Sequence, residues 1–282
     1  MAVTVQPLAD ACGAEILGVD LRQPLSPDDR DAIHRAWLDH CVIVVRDQRL
    51  TGEDQQRFAA AFGPVGAYLR PKELQNPEYA SDQVMLISNI RENGKPIGSL
   101  PDGEMMWHTD TGYAAHPHKA TTLFAVEIPD RGGDTLFSNQ YMVYDALPDR
   151  LKESLAGRKA MNVFEFGTTV KAVASYDRAR APHHAHPVFR KHPETGRTCV
   201  YVCPLMTEEI IGLEPQESRA ALDEIFALQG QERFVFRHRW RVGDLVMWDN
   251  RCTMHAREDF PRDQRRLLTR VTIEDEAPVL NA

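Results

Sequence analysis

The chain contains no apolar run approaching the ~20 residues needed for a transmembrane helix, so a helical membrane protein is not expected. Its start, Met1-Ala2-Val3-Thr4-Val5-Gln6, lacks the basic stretch and apolar core of a secretory signal. A reducing cytoplasm is the expected location. Positive charge is not in excess either. With 33 Lys and Arg against 41 Asp and Glu, the formal net charge is −8. Phosphate backbones need clustered Lys and Arg, so a nucleic-acid partner is not expected. A small anion stays possible, because a buried pocket can carry its own arginine. Cysteines are few and odd in number: Cys12, Cys41, Cys199, Cys203 and Cys252. Only Cys199 and Cys203 are close, in a β-rich run where both side chains share one face. Zinc clusters need more ligands at short spacing, so reduced core thiols are expected. Repeats, low-complexity tracts and long linkers are also missing, which makes residues 1–282 one domain.

What is present supports a packed, mainly β fold. A hydrophobic fraction of 43% against 26% charged is enough for a sizeable core. Ser26-Pro27-Asp28-Asp29 reads as a helix start: a Ser cap, Pro in the first turn and acids at the positive dipole end. Thr51-Gly52-Glu53-Asp54 starts a second helix, stopped by Gly63-Pro64. Cys41–Val45 is a short apolar, β-branched run and hence a buried strand. Val84–Ser88, Ala120–Glu127, Thr135–Ser138, Phe234–Trp240, Asp244–Met247 and Leu267–Glu274 read as strands. Pro187–Arg190 and Thr198–Val202 form a hairpin. Tyr141–Leu147, Arg150–Leu155 and Pro215–Leu228 are helical. Segments 64–83, 93–104 and 166–186 read as loops at the entrance of a site. Many short strands with helices at the start and in insertions predict a jelly roll, a double-stranded β-helix flanked by helices.

Chemistry concentrates in two distant segments. Trp107-His108-Thr109-Asp110 places a histidine and a carboxylate two apart, on the same side of an extended strand. Trp248-Asp249-Asn250-Arg251 leads to His255. Two imidazoles and one carboxylate on one face of Fe(II) leave the opposite face open. Arg266 follows shortly, a fixed cation suited to a dicarboxylate. Arg270 lies four residues further on, on the same strand face, while Arg265 alternates outward as a solvated charge.

With these segments in order, together with Gly132-Gly133-Asp134-Thr135-Leu136-Phe137 and Gln264-Arg265-Arg266-Leu267-Leu268-Thr269-Arg270, the chain resembles the taurine/2,4-dichlorophenoxyacetate dioxygenase family. The resemblance runs from about Val5 to Ile273. It implies Fe(II), 2-oxoglutarate as co-substrate and O2, with His108, Asp110 and His255 as iron ligands. It implies Thr135 and Arg266 on the distal carboxylate of 2-oxoglutarate, where a guanidinium fork and a hydroxyl suit the ligand. Arg270 is then expected on the acidic group of a small anionic substrate, with Tyr113 beside it. The expected outcome is substrate hydroxylation with release of succinate and CO2.

Other residues receive plainer readings. Trp107 and Trp248 are expected to pack the core; His116, His118, His183, His184 and His186 lack partner carboxylates at ligand spacing. The taurine-specific members use a His in the early loop and an Asn just before the Trp-His segment. Here those places hold Gly66-Ala67-Tyr68-Leu69-Arg70 and Glu104, which argues against taurine; Arg70 would be a replacement cation. Two readings from other classes compete: a Zn-dependent hydrolase using the same three ligands, and a jelly-roll binding protein without turnover. A dedicated dicarboxylate clamp argues against the first and an intact triad against the second. Whether copies of the chain associate as a homo-oligomer is left open by the sequence.

Overall fold

The computed structural model describes residues 3–66, 83–98, 104–164 and 181–282. Strands β1 (Thr4–Pro7) and β2 (Ala14–Leu17) pair antiparallel ahead of helix α1 (Pro27–His40). The Ser26 side chain accepts the Asp29 N–H, and Cys41 ends the helix in a left-handed turn at φ 63°. Strand β3 (Val42–Val45) follows at once, buried throughout. Helix α2 (Gly52–Ala60) opens with a reciprocal cap between Thr51 and Asp54. Next come β4 (Met85–Ser88), the small hairpin β5 (Arg91–Glu92) and β6 (Lys95–Pro96), and β7 (Met105–His108). Long β8 (Ala120–Glu127) and β9 (Thr135–Asn139) precede helices α3 (Gln140–Ala146) and α4 (Asp149–Leu155). A lobe then holds β10 (Lys159–Val163), β11 (His183–Pro187), β12 (Phe189–Lys191), β13 (Thr198–Val200), β14 (Thr207–Ile210) and helix α5 (Pro215–Gln229). The chain ends with β15 (Val235–His238), β16 (Leu245–Asp249), β17 (Thr253–Arg257), β18 (Leu267–Ile273) and β19 (Leu280–Asn281).

Two sheets organise the molecule. The larger has the order β1-β2-β3-β16-β8-β18-β4, and the smaller β15-β9-β17-β7. Alternation along β3 and β16 explains why both read as unbroken apolar runs. Ile43, Val45, Leu245 and Met247 face helices α1 and α2, packing on Ile33, Trp37 and Phe58. Val42, Val44, Val246 and Trp248 face the smaller sheet, packing on Phe137 and Phe236. A strand covered on both sides needs apolar residues at every position. A third core joins α3, α4 and α5 to the lobe through Leu151, Val200 and Leu222. Among the described residues no helix is long and apolar enough to cross a membrane.

The mainly β architecture with flanking helices agrees with the sequence reading, and several local expectations are corrected. Helix α2 stops at Ala60, before Gly63-Pro64. Residues 91–96, which run into the expected loop 93–104, hold the hairpin turning at Asn93-Gly94, both at positive φ. Residues 183–186, the end of the expected loop 166–186, belong to a strand that pairs with β10. The strands β10, β14 and β17 were not anticipated. All five cysteines are buried and free of disulfides, but Cys199 and Cys203 lie in different cores. Most of the expected loops 64–83 and 166–186, and Arg70 with them, lies outside the described residues.

Candidate active site

His108 closes β7 and His255 sits mid-way along β17, directly opposite it in the sheet. Their ring centroids are 4.1 Å apart. The His108 Nδ1–H donates to the Met106 carbonyl over 2.8 Å, so the Nε2 lone pair faces the site. Asp110 is not on the strand, contrary to the two-apart expectation. It lies in the turn beyond β7, next to Thr111 at φ 52°. Its Oδ2 accepts the Thr121 hydroxyl at 2.6 Å. Its Oδ1 stands 4.0 Å from the Nε2 of both His108 and His255. One donor atom from each of the three residues lies within 4.8 Å of the others, all buried.

That triangle fits one ion. With two sides of 4.0 Å and a third of at most 4.8 Å, its centre is about 2.5 Å or less from each corner, against about 2.0–2.2 Å for metal bonds to imidazole or carboxylate, so small inward rotations suffice. Protonation suits ligation as well. Burial lowers the pKa of His108, and burial with the neighbouring His108 charge holds His255 well below the usual range. Burial works against the Asp110 carboxylate, yet Arg270 and both imidazoles hold its pKa below the usual range. Arg270 Nη2 forms an ion pair with Asp110 Oδ1 at 2.8 Å, the oxygen that faces the imidazoles.

A cavity of about 210 Å³ opens from this triangle. Thr135 and Arg266 line one end of it. The Trp240 indole N–H donates to Thr135 Oγ1 at 3.0 Å, leaving the Thr135 hydroxyl hydrogen to point elsewhere. Arg266 is 1% exposed, and its Nε and Nη1 have no hydrogen-bond partner. Its backbone is held by Asn89 at 2.9 Å. Burial, with help from the Arg257 charge, pushes its guanidinium down to about 9, so it is still charged at neutral pH. Gly132 and Gly133, both near φ 71°, shape the turn against it. A Cβ on Gly133 would lie 3.4 Å from Arg266 Nε. Two buried donors without acceptors are costly unless a ligand supplies them, and a carboxylate does so.

Arg270 lines the same cavity, with Met85, Ile87, Met105 and Leu123 as its apolar wall. Tyr113 does not line it; its ring packs on Phe164 at 4.8 Å beside Met105 and Trp107. Trp248 belongs to the core and also forms cavity wall, 4.7 Å from His255. Glu104 is exposed and is not among the residues that line the cavity. His186 is spent on the Ala114 carbonyl. A second cluster, His192, Asp249 and Cys252, also falls within 4.8 Å. There the Asp249 carboxylate is gripped by Arg251 at 2.8 and 2.7 Å and by His192 at 3.1 Å, a lock on the β16–β17 turn. Thr121, Trp240 and Arg257 were not among the expected site residues, and Asn250 figured only as part of the Trp248–Arg251 segment; Thr121, a hydroxyl inside an apolar strand, gave a further signal.

Residues 4–272 match the family described as "Taurine catabolism dioxygenase TauD, TfdA family". The chain belongs to that family. This dioxygenase is similar to the alpha-ketoglutarate-dependent 2,4-dichlorophenoxyacetate dioxygenase of Cupriavidus pinatubonensis, with 33% identity covering 99% of this chain and 100% of the relative. It is 32% identical to pentalenolactone F synthase of Streptomyces avermitilis, over 94% and 92% of the two chains. Among solved structures, AAD-2 in complex with Mn(II) and N-oxalylglycine superposes with a TM-score of 0.84 at 26% identity, each chain covered in full (100% and 100%).

Proposed function

We propose that this dioxygenase is a single-domain, double-stranded β-helix that holds Fe(II) on His108, Asp110 and His255 and 2-oxoglutarate on Arg266 and Thr135. One observation carries the reading. Three buried donor atoms converge in the same cavity as a buried guanidinium with two unused donors. Bound Fe(II), with 2-oxoglutarate and O2, supplies oxidation of a substrate C–H bond coupled to release of succinate and CO2. The protein contributes orientation. Arg266 and the Thr135 hydroxyl grip the distal carboxylate, and the Trp240 N–H fixes which way that hydroxyl points. A hydrolase has no use for a dicarboxylate clamp, and a binding protein without turnover has none for the triad.

The substrate reading follows from the cavity wall. Arg270 provides one cation, and Met85, Ile87, Met105 and Leu123 provide an adaptable apolar surface. That combination suits a carboxylate carrying an apolar ring better than a small amino-sulfonate. The dichlorophenoxyacetate relative is named for a compound of that shape. Hydroxylation of a carbon bearing an ether oxygen gives a hemiacetal, which breaks to an alcohol or phenol and a carbonyl compound.

The direct test measures succinate formed from 2-oxoglutarate with Fe(II), with and without phenoxyacetate, taurine or an alkyl sulfate. Phenoxyacetate is expected to stimulate succinate release well above the uncoupled rate. Stimulation by taurine alone would overturn the substrate class, and no succinate with any acid would overturn the reaction. Arg270→Ala is expected to raise the KM for the acid roughly 30- to 150-fold, the cost of losing a buried charged partner at about 2–3 kcal/mol. Calorimetric affinity for N-oxalylglycine should stay within about twofold; equal losses for both ligands would merge the two roles. Trp240→Phe removes one orienting hydrogen bond. It should weaken N-oxalylglycine roughly 2- to 10-fold while Mn(II) affinity, measured alone, stays at the parent value.

A further inference from the structure

Asp110 is tied to a second element by a chain of three hydrogen bonds whose direction is fixed. The Trp248 indole N–H donates to Asn250 Oδ1 at 2.8 Å. Indole nitrogen is a donor only, so the Asn250 amide must turn its oxygen there and its NH2 away. That NH2 donates to Thr121 Oγ1 at 3.0 Å. With its oxygen occupied as acceptor, the Thr121 hydroxyl sends its hydrogen to Asp110 Oδ2 at 2.6 Å. Every member is buried, Thr121 and Asn250 at 0% exposure. The register permits this because Trp248 of β16 pairs with Thr121 of β8. The Asn250 backbone is pinned as well, its N–H donating to the Lys119 carbonyl at 3.0 Å.

We propose that Asn250 and Thr121 are positioning residues that dictate which oxygen of Asp110 faces the metal. The inference rests on Asp110 being a ligand. With Oδ2 committed to Thr121, only Oδ1 is presented to the imidazole pair. A metal held by the three side chains would then meet the carboxylate through Oδ1 alone. It also gives Asn250 a reason to stand inside the buried Asp249–Arg251 lock, just ahead of β17. A side chain without a hydrogen to give Thr121 could not set this direction.

Asn250→Asp tests the direction with almost no change in shape. An aspartate still accepts from Trp248, but its second oxygen accepts the Thr121 hydroxyl and draws it away from Asp110. Mn(II) affinity of the metal-free protein, measured by calorimetry, is expected to fall about 10- to 100-fold, the range for outer partners of metal ligands. Thr121→Val should lose a similar amount, and Thr121→Ser, which keeps the hydroxyl, should stay within about threefold of the parent. Because Asn250 acts through Thr121, the double variant Asn250→Asp/Thr121→Val should bind Mn(II) no worse than Thr121→Val alone. Circular dichroism confirms that each variant is folded. Parent-like affinity in Asn250→Asp or Thr121→Val, or losses that multiply in the double variant, would overturn the inference. If Asn250→Asp does not fold, the Val and Ser pair at position 121 decides the matter. Failure of the underlying reading looks different: Asp110→Ala would then bind Mn(II) as the parent does.

Discussion

Arg266→Ala is expected to raise the 2-oxoglutarate requirement roughly 30- to 1,000-fold, with Mn(II) binding unchanged. The magnitude follows from removing one partner of a buried, hydrogen-bonded charge pair, about 2–4 kcal/mol, at about 1.4 kcal/mol per decade. Its two unused donors have no role in the ligand-free fold, so the loss should appear in binding and not in folding. Arg266→Met separates the two. It keeps the apolar stem and removes a charge that burial and Arg257 already disfavour. Its melting temperature without ligand should therefore be no lower than the parent's, while N-oxalylglycine binding is lost. A variant that binds N-oxalylglycine as the parent does would remove Arg266 from the clamp.

Asp110→Ala is the second large effect. It removes the only carboxylate of the triangle, and Mn(II) affinity should fall by more than about 100-fold, the upper figure for losing a mere outer partner. Succinate formation should vanish with it. Stability should drop too, because Arg270, with a side chain only 20% exposed, loses the oxygen it holds at 2.8 Å. Arg270→Ala is the informative contrast. It frees Oδ1 in the metal-free protein, so its Mn(II) affinity should be no weaker than the parent's. Calorimetry on both variants checks the pair; a similar loss of metal in each would mean that Arg270 supports the ligand instead of competing for it.

Much of the site was legible because its residue types have few other uses in such spacing. His108, Asp110 and His255 meet in space as their spacing suggested, although Asp110 gets there through a turn and not by strand alternation. Arg266 and Arg270 do share one cavity. The sequence also carried the buried strands and capped helices, since β3 and α1 are encoded by local apolar runs and cap residues. Strand β17 was hidden because Thr253–Arg257 is short, and its alternation rests on only two apolar residues, Met254 and Ala256, between Thr, His and Arg. Its strand character comes from pairing with β9 and β7 on both sides. Tyr113 and Glu104 were placed near the substrate by position in the chain; neither lines the cavity, Tyr113 packing on Phe164 and Glu104 lying exposed.

The amino-acid sequence alone determined the His-Asp-His set, the pair of arginines and the mainly β class, because donor chemistry and hydrophobic period are properties of residues and their spacing. The tertiary structure decided which oxygen of Asp110 faces the imidazoles, that Trp240 aims the Thr135 hydroxyl, and that Arg270 rests on a ligand. Those are matters of hydrogen-bond direction between residues far apart in the chain, such as Asn250 and Thr121, and direction exists only once the strands carrying them are packed side by side.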